Sequence, residues 1–330
     1  MSKHSTRNVM LLFFIILAAI ASLMIGRTSL GVMDVINGLF GTNDDPVTII
    51  VSELRLPRVL LGILIGATLG VSGAALQGVL RNPLADPGVI GVSASAALGA
   101  VIAIHLGLQL VWPLFIPIFA MTGALLATLI LLTVSIRESS VLMLILVGIG
   151  ISSLAMAGVS LVMNLAESSM SVRDMIMWML GSLENRTTTD LWLSLPFILF
   201  GWAMMINIGQ CLNALSVGED TAQSMGINIT TLKFRVVIGS AISVGAAVAV
   251  CGSIGFVGLV VPHMVRGLIT SEPGGILLPS ALMGGLLLTL ADLFTRIPMP
   301  GATLQLGVVT SLIGAPAFLY IVYKTRKNMR

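Results

Sequence analysis

The stretch ALSVGEDTAQSMGI, from Ala214 to Ile227, is a polar run within a chain that is otherwise strongly apolar. Of the 330 residues, 56% are hydrophobic and only 9% are charged, whereas roughly a quarter of the residues of a soluble domain are charged. The mean hydropathy is +1.05. The composition therefore predicts an all-α polytopic membrane protein, and the polar run is expected to lie outside the bilayer.

About ten apolar segments are long enough to be read as transmembrane helices, each needing roughly 20 residues to cross the hydrocarbon. They begin near Val9, Val59, Gly88, Pro113, Ser140, Leu191, Phe234, Gly255, Ile276 and Leu304. The eighth, about Gly255 to Val265, is too short to cross unaided, so it is expected near the functional path, where protein or a water-filled cavity surrounds it. The first could imitate a signal peptide, but its apolar stretch is long and favours a retained span. Residues 1–330 are predicted to form a single transmembrane domain with a polar loop at about 213–232.

The basic residues predict the orientation, because cytoplasmic loops carry an excess of Lys and Arg. With both termini in the cytoplasm, eleven of the 17 basic residues lie on the inner side: Lys3, Arg7, Arg81, Arg137, Lys233, Arg235, Arg266, Lys324, Arg326, Lys327 and Arg330. The outer side then holds Arg27, Arg55, Arg58, Arg173, Arg186 and Arg296. The polar run therefore faces the cytoplasm.

As a helix, the polar run has an apolar and a polar side. It places Leu215, Ala222 and Met225 opposite Glu219, Asp220 and Gln223. Gly218 and Gly226 are expected to break the helix at either side. This pattern predicts a docking helix for another protein, and a solvated surface helix without a partner is the alternative.

Two kinds of site are missing from the sequence. No lysine follows a glycine, so no phosphate-binding loop of the Gly-Lys-Ser/Thr kind exists and the chain cannot hydrolyse ATP by that route. No acidic residue is placed near the middle of a span, as an ion-coupled carrier would need. Asp292 lies four residues before Arg296, which predicts a same-face ion pair near the outer boundary. The energy for any transport must then come from a partner.

Small residues recur every four positions in the second segment, at Gly62, Gly66, Gly70, Ala74 and Gly78. Such stripes allow the backbones of neighbouring helices to touch. Close packing within the chain is the favoured interpretation, and a channel-lining role is the alternative.

Several motifs occur in order from about Arg55 to Tyr323. They are LRLPR (54–58), GAALQG (73–78), RNPLADP (81–87), Trp178 with GSL (181–183), the polar run, GFVGLVVPH (255–263) with Arg266, GVVT (307–310) and GAP (314–316). Each motif alone is weak, but the set is specific. In this set the chain resembles the iron-chelate permease family of ABC importers, whose cargoes are ferric siderophores, haem or cobalamin.

The resemblance implies a permease subunit that binds no cofactor and is not itself an enzyme. It implies a second permease copy or sister subunit, two cytoplasmic ATPase subunits that carry ATP and Mg²⁺, and a periplasmic or lipid-anchored binding protein. The place implied is the bacterial cytoplasmic (inner) membrane. A ferric siderophore is the favoured cargo, with haem or cobalamin as alternatives.

The resemblance also implies roles for residues. The Gly218–Gly226 helix pair, with Leu215, Glu219, Ala222 and Met225, would dock to the ATPase. Arg55, Arg58 and Arg296 would meet acidic residues of the binding protein, although each could instead anchor at lipid headgroups. Asn82, Leu84, Ser139 and Ser140 would form the inner gate. By physics alone, Asn82-Pro83 and Asp86-Pro87 are rigid turns, and the two roles are compatible.

Two other classes of protein were weighed. Ser72 and His263 could form the dyad of an intramembrane serine protease, but a serine needs its base within about 3 Å, and Ser72 lies inside a packing stripe. An ion-coupled secondary carrier is disfavoured by the missing buried acids.

Overall fold

A computed structural model describes residues 3–26, 28–41, 45–137, 141–297 and 303–328. Every regular element in these ranges is helical. The α-helices are α1 (Lys3–Met24), α2 (Val32–Phe40), α3 (Pro46–Ile49), α4 (Leu56–Val79), α5 (Val92–His105), α6 (Phe115–Arg137), α7 (Val141–Asn164), α8 (Ser169–Met179), α9 (Thr188–Met204), α10 (Gly209–Val217), α11 (Glu219–Ser224), α12 (Ile229–Cys251), α13 (Val257–Leu268), α14 (Leu277–Thr295) and α15 (Leu306–Asn328). Short 3₁₀ turns occupy Pro87–Ile90 and Leu108–Leu110, and a π-helical stretch occupies Ile50–Arg55.

The ten expected segments correspond to α1, α4, α5, α6, α7, α9, α12, α13, α14 and α15. Six spans are long and apolar enough to cross a membrane by themselves, and α9 with α10 makes a seventh that is bent by 48°. The shorter apolar helices are α5, α13 and the Leu306–Tyr320 part of α15. The prediction that the eighth segment is too short is confirmed, since α13 has 12 residues.

The second span begins earlier than expected. It runs without a break from Pro46 to Val79, through α3, the π-helical stretch and α4. Its first turn is capped by Asp45, whose carboxylate accepts from the Val47 N–H at 3.0 Å. Pro57 has no N–H for the preceding turn, a situation in which helices often widen locally into a π-bulge. The helix therefore continues through two arginines that were expected to mark its outer end.

The centre of the bundle is formed by α12 and by the second span, which includes α4. In the most apolar 18-residue stretch of each, 83% and 78% of the residues are buried. In the corresponding stretches of α1 and α7, only 22% and 17% are buried. Exposed apolar side chains such as Phe13 and Leu154 lie on these outer helices. The outward faces of α1 and α7 are therefore apolar, as expected for surfaces that lipid or another membrane subunit covers.

Close packing by the small-residue stripe is confirmed. A Cβ at Gly70 would overlap the Ser280 carbonyl oxygen of α14 and lie 2.9 Å from its carbon. A Cβ at Gly66 would lie 2.7 Å from the carbonyl carbon of Gly284, also in α14. These glycines let the backbones of α4 and α14 touch, so at these positions the stripe packs against protein and lines no channel.

The bundle has two ends, which collect different helix termini. The end of α1, the start of the second span and the end of α14 meet at the "arginine end", defined by Arg55, Arg58 and Arg296. The opposite "α11 end" carries α10, α11 and the loop between α4 and α5. These two ends carry nearly all the residues expected to function.

Candidate functional site

The polar run forms two short helices. The helix α10 ends at Val217, and α11 begins at Glu219. Gly218 between them has φ 157° and ψ 153°, and Gly226 after α11 has φ 80°. Residues with a side chain rarely adopt either conformation. The expected breaks at Gly218 and Gly226 are confirmed, and the polar run is a pair of short helices.

The break changes which side chains share a face. Leu215 and Ala222 are fully buried in one apolar cluster with Leu232 and Val236 of α12. Met225 was assigned to the same face, but it is 66% exposed, because α11 ends at Ser224 and the chain turns away. The "α11 surface" is therefore made by exposed side chains, namely Ser216, Val217, Glu219, Asp220, Gln223 and Met225.

Polar contacts fasten this surface to the bundle. Lys233 Nζ of α12 donates to Glu219 Oε1 at 3.2 Å. The backbone N–H of Gly274, between α13 and α14, donates to Asn213 Oδ1 at 2.7 Å. A Cβ at Gly78 would lie 3.2 Å from the Leu212 methyl groups, so α10 also rests on the last turn of α4. The helices α10 and α11 are therefore in direct contact with α4 and α12.

The loop after α4 contains the expected turns. Asn82 Oδ1 accepts from the Leu84 N–H at 2.9 Å, and Asp86 Oδ1 accepts from the Gly88 N–H at 2.7 Å. Asn82 and Leu84 are exposed and, with Leu144 of α7, line a cavity of about 90 Å³. The structural turn is thus confirmed, and it lies beside the start of α7. The other two expected gate residues, Ser139 and Ser140, lie outside the described residues.

The buried side-chain amide of Gln77, for which the sequence predicted no role, joins this loop to α13. Gln77 Nε2 donates to the Ala85 carbonyl at 3.2 Å and to the Leu259 carbonyl at 3.3 Å. Arg266 Nη1 donates to Gln77 Oε1 at 2.6 Å. The signal available in the sequence was a glutamine inside an apolar span, where a polar side chain needs a partner.

At the arginine end, Arg55 is 7% exposed and lies against the end of α1. Its Nη1 donates to the carbonyls of Leu23 and Met24 at 2.7 and 2.9 Å, and its Nη2 donates to the Thr28 carbonyl at 2.5 Å. These carbonyls lie at or beyond the C-terminus of α1, where helix carbonyls lack partners. Both Nη groups of Arg55 are thus used within the chain, and its contact with a partner protein stays a prediction.

Arg58 and Arg296 share one carboxylate. Arg58 Nε and Nη2 donate to Asp292 Oδ1 at 3.0 and 2.8 Å, and Arg296 Nη2 donates to Asp292 Oδ2 at 2.7 Å. The same-face pair of Asp292 and Arg296 is therefore confirmed, with Arg58 as an additional partner. Arg296 also donates to the carbonyls of Ser22 and Ile25 at 2.6 and 2.7 Å, so it caps α1 as Arg55 does.

A cavity of about 780 Å³ opens among these groups. Its lining includes the three arginines, Glu184 and Asn185. The side chain of Arg58 is 19% exposed and that of Arg296 only 6%, so Arg58 is the more accessible of the two. The carboxylates of Asp292 and Glu184 together balance two of the three guanidinium charges, so the cavity keeps a net positive charge that favours an acidic group.

The arrangement required by the protease alternative is not formed. Ser72 is fully buried in α4, and its Oγ makes no hydrogen bond to any described residue. His263 is therefore not its general base in this structure. Within the described ranges, no group of three or more His, Cys, Asp or Glu side chains could hold a metal ion.

Residues 12–324 match the model of the FecCD transport family. The ABC transporter permease protein YvrB of Bacillus subtilis (strain 168) is 39% identical over 298 residues, covering 89% of this chain and 84% of that protein. The hemin transport system permease protein HmuU of Yersinia pestis is 35% identical, covering 97% and 96%.

The fold agrees with that of a solved structure described as an inward-facing conformation of a metal-chelate type ABC transporter. The TM-score is 0.85 at 31% identity, covering 97% of this chain and 99% of the other. The chain therefore belongs to the FecCD transport family and is the multi-pass permease subunit of an ABC importer, the membrane component and not the enzyme of that machine.

Proposed function

We propose that this permease carries a ferric siderophore inward by alternating access, together with a second permease subunit. Two ATPase subunits, which hold ATP and Mg²⁺, dock at the α11 surface on the cytoplasmic side. A binding protein delivers the chelate at the arginine end, on the outer side. Both termini then lie in the cytoplasm, in agreement with the excess of Lys and Arg at that side.

The observation that carries this proposal is the α11 surface and its attachment. Val217 and Met225 expose apolar side chains beside the carboxylate of Asp220, which has no hydrogen-bond partner among the described residues. Exposed apolar groups next to unpaired charges are typical of a docking surface. Because Leu215 and Ala222 anchor α10 and α11 in the core, a partner that moves this surface moves the bundle.

The gate follows from the same contacts. Leu212 of α10 packs against Gly78 in the last turn of α4. The loop that carries Asn82 and Leu84 begins within four residues of Gly78. We assign the inner gate to this loop and to Ser139 and Ser140 before α7. Closure of the ATPase subunits would displace α10, and through the end of α4 it would move the loop. Such rigid transfer between packed helices is a common route of alternating access.

The docking of a binding protein is supported by the charge of the cavity at the arginine end. Guanidinium groups bind carboxylates through paired N–H donors, so acidic side chains of a partner are suitable occupants. Arg58 is the most accessible of the three arginines for such a contact, with Arg55 and Arg296 adding positive charge behind it.

The cargo is a metal chelate or a related compound. Relatives matched over most of their length are named for the import of hemin, Fe(3+)-citrate, cobalamin and molybdate. A ferric siderophore is proposed because the motifs resemble those of iron-chelate permeases and one relative is named for the import of Fe(3+)-citrate. Haem is the second candidate, because the hemin permease matches nearly the whole chain.

Growth of a deletion strain on a panel of sole iron sources tests the proposal, with ferric siderophores and haem, and with a cobalamin-dependent growth test alongside. Loss of growth on one siderophore, restored by the wild type but not by Asp220→Lys, is the expected result. The matched control is Glu167→Lys, which reverses an exposed acid between α7 and α8, far from the α11 surface. Normal growth on every siderophore, or full rescue by Asp220→Lys at normal membrane levels, would contradict the proposal.

A further inference from the structure

Asp292 at the end of α14 occupies an unusual electrostatic position. Its side chain is 3% exposed and lies between two guanidinium groups, those of Arg58 and Arg296. It accepts hydrogen bonds from both nitrogens of the Arg58 fork that face it and from Nε and Nη2 of Arg296. The cavity wall itself carries the carboxylate of Glu184.

The donors of the three arginines are used unequally. Arg55 and Arg296 donate hydrogen bonds to carbonyls at the end of α1. Arg296 also donates to Asp292 and to Ser22 Oγ. Arg58 gives Nε and Nη2 to Asp292, with a further bond from Nη2 to Thr295 Oγ1 at 3.2 Å. The Nη1 group of Arg58 has no hydrogen-bond partner among the described residues. The Arg58 side chain also lines the cavity.

We propose that Asp292 is a positioning residue for docking of the binding protein, and this inference depends on the docking role proposed above. Asp292 holds the Arg58 fork so that its Nη1 is available for a carboxylate of the partner. Arg55 and Arg296 do not contact the partner, and they serve to cap α1 and to hold it beside α4 and α14. Direct docking by arginine is thereby assigned to Arg58.

The physical reason is preorganisation. A free arginine side chain samples many rotamers, and it loses this conformational entropy when it binds a partner. Two bonds to a buried carboxylate restrict the side chain before the partner arrives, so less entropy is lost on docking. If Asp292 lost its charge, Arg58 would be released and the neighbouring positive charge of Arg296 would repel it.

The test uses the complete importer in nanodiscs with its binding protein. The measured quantity is the concentration of binding protein that gives half-maximal stimulation of ATP hydrolysis. We expect Arg58→Ala and Asp292→Asn each to raise this concentration about tenfold, and the double variant to raise it no further, because both changes remove the same contact. Asp292→Glu should recover part of the loss.

The matched control is Asp190→Asn. Asp190 is also a buried acid, and its carboxylate lies 4.0 Å from Arg186, four residues away in sequence. It makes no ion pair with Arg55, Arg58 or Arg296 among the described residues. It should leave the half-saturating concentration within twofold of the wild type. A merely structural effect of Asp292→Asn would lower the maximal rate at saturation and leave the half-saturating concentration unchanged, and that result would overturn the proposal.

The double variant could instead raise the half-saturating concentration about a hundredfold, which is the product of the two single effects. That result would also overturn the proposal, because the two residues would then act independently. Should Asp292→Asn fail to assemble, Thr295→Val removes only the secondary bond to Arg58 and is expected to raise the concentration about threefold. An unchanged value would then refute the proposal. If the binding protein fails to stimulate even the wild type, the proposed docking function itself is wrong; normal stimulation of the wild type with unaffected variants rejects only the role of Asp292.

Discussion

Replacing Gly73 with alanine should weaken the contact between α4 and the short helix α13. An added Cβ would overlap the Gly258 carbonyl oxygen and lie 2.6 Å from its carbon and 2.8 Å from its Cα. Non-bonded carbon atoms pack best at about 3.5–4.0 Å. The two helices must therefore separate by about 1 Å at this crossing.

The expected magnitude follows from two opposing terms. Overpacking of this kind costs about 1–3 kcal/mol, whereas replacing a helical glycine by alanine gains about 0.5–1 kcal/mol. Because the overlap is with backbone atoms, which cannot rotate away, the upper part of the first range applies and the net loss of stability is about 1–2.5 kcal/mol. The separation should also disturb the gate loop, since Gly258 faces Pro87 so closely that a Cβ there would lie 2.7 Å from the Pro87 Cδ.

The assay is the midpoint of thermal unfolding of the purified permease in nanodiscs. For a chain of 330 residues, a loss of this size is expected to lower the midpoint by about 1–4 °C. Gly150→Ala in α7 is the matched control, because a Cβ at Gly150 would meet no atom within 4 Å, and its midpoint should equal or exceed that of the wild type. A Gly73→Ala protein with a midpoint at or above the wild-type value would refute the packing argument.

Three further predictions concern the α11 end. Lys233→Met removes the partner of Glu219 and loosens α11 from α12, so the amount of chelate transported per ATP hydrolysed should fall; an unchanged ratio would count against rigid transfer. Met225→Asp places a charge on the exposed apolar tip of the α11 surface and should reduce the affinity for the ATPase about tenfold, or about 1.4 kcal/mol, measured by binding of the purified ATPase to the permease; unaltered affinity at normal permease levels would contradict it. Burial raises the pKa of Asp86, although the Gly88 N–H acts in the opposite direction. The stability contributed by this group is therefore fully present below the ordinary carboxyl pKa and is lost as the pH rises through the raised pKa. Asp86→Asn, whose amide oxygen can still accept from Gly88, should remove this part of the pH dependence of the thermal midpoint, and parallel curves for the two proteins would show the reasoning to be wrong.

Much of the α11 end could be predicted from local sequence. Gly218 and Gly226 marked the helix breaks, because only glycine readily adopts positive φ. Asn82 and Asp86 marked their turns, since short polar side chains before proline accept from the backbone two residues on. Met225 was placed on the wrong face because the helical period used for it does not continue past Ser224, where α11 ends.

The arginine end could be predicted only in part. The Asp292 pair with Arg296 spans four residues on one helix and follows from helical spacing. Its pair with Arg58 joins residues 234 positions apart, and the bond between Arg266 and Gln77 joins residues 189 apart. No local pattern indicates such partners. The burial of Arg55 was missed for the same reason, since its acceptors are carbonyls that become available only where α1 ends beside α4.

Composition and local pattern are enough to establish a helical membrane protein with about ten apolar segments, a polar segment at Ala214–Ile227 and no phosphate-binding loop of the Gly-Lys-Ser/Thr kind. These properties depend on composition, segment length and local backbone preference, which are written within short windows. The packing of distant helices sets which arginine donors find partners among the described residues, which glycines touch a neighbouring backbone and which face of the polar run is exposed. These outcomes depend on distances between helices that are far apart in sequence, and a hydrogen bond or a steric overlap is decided by differences of less than an ångström.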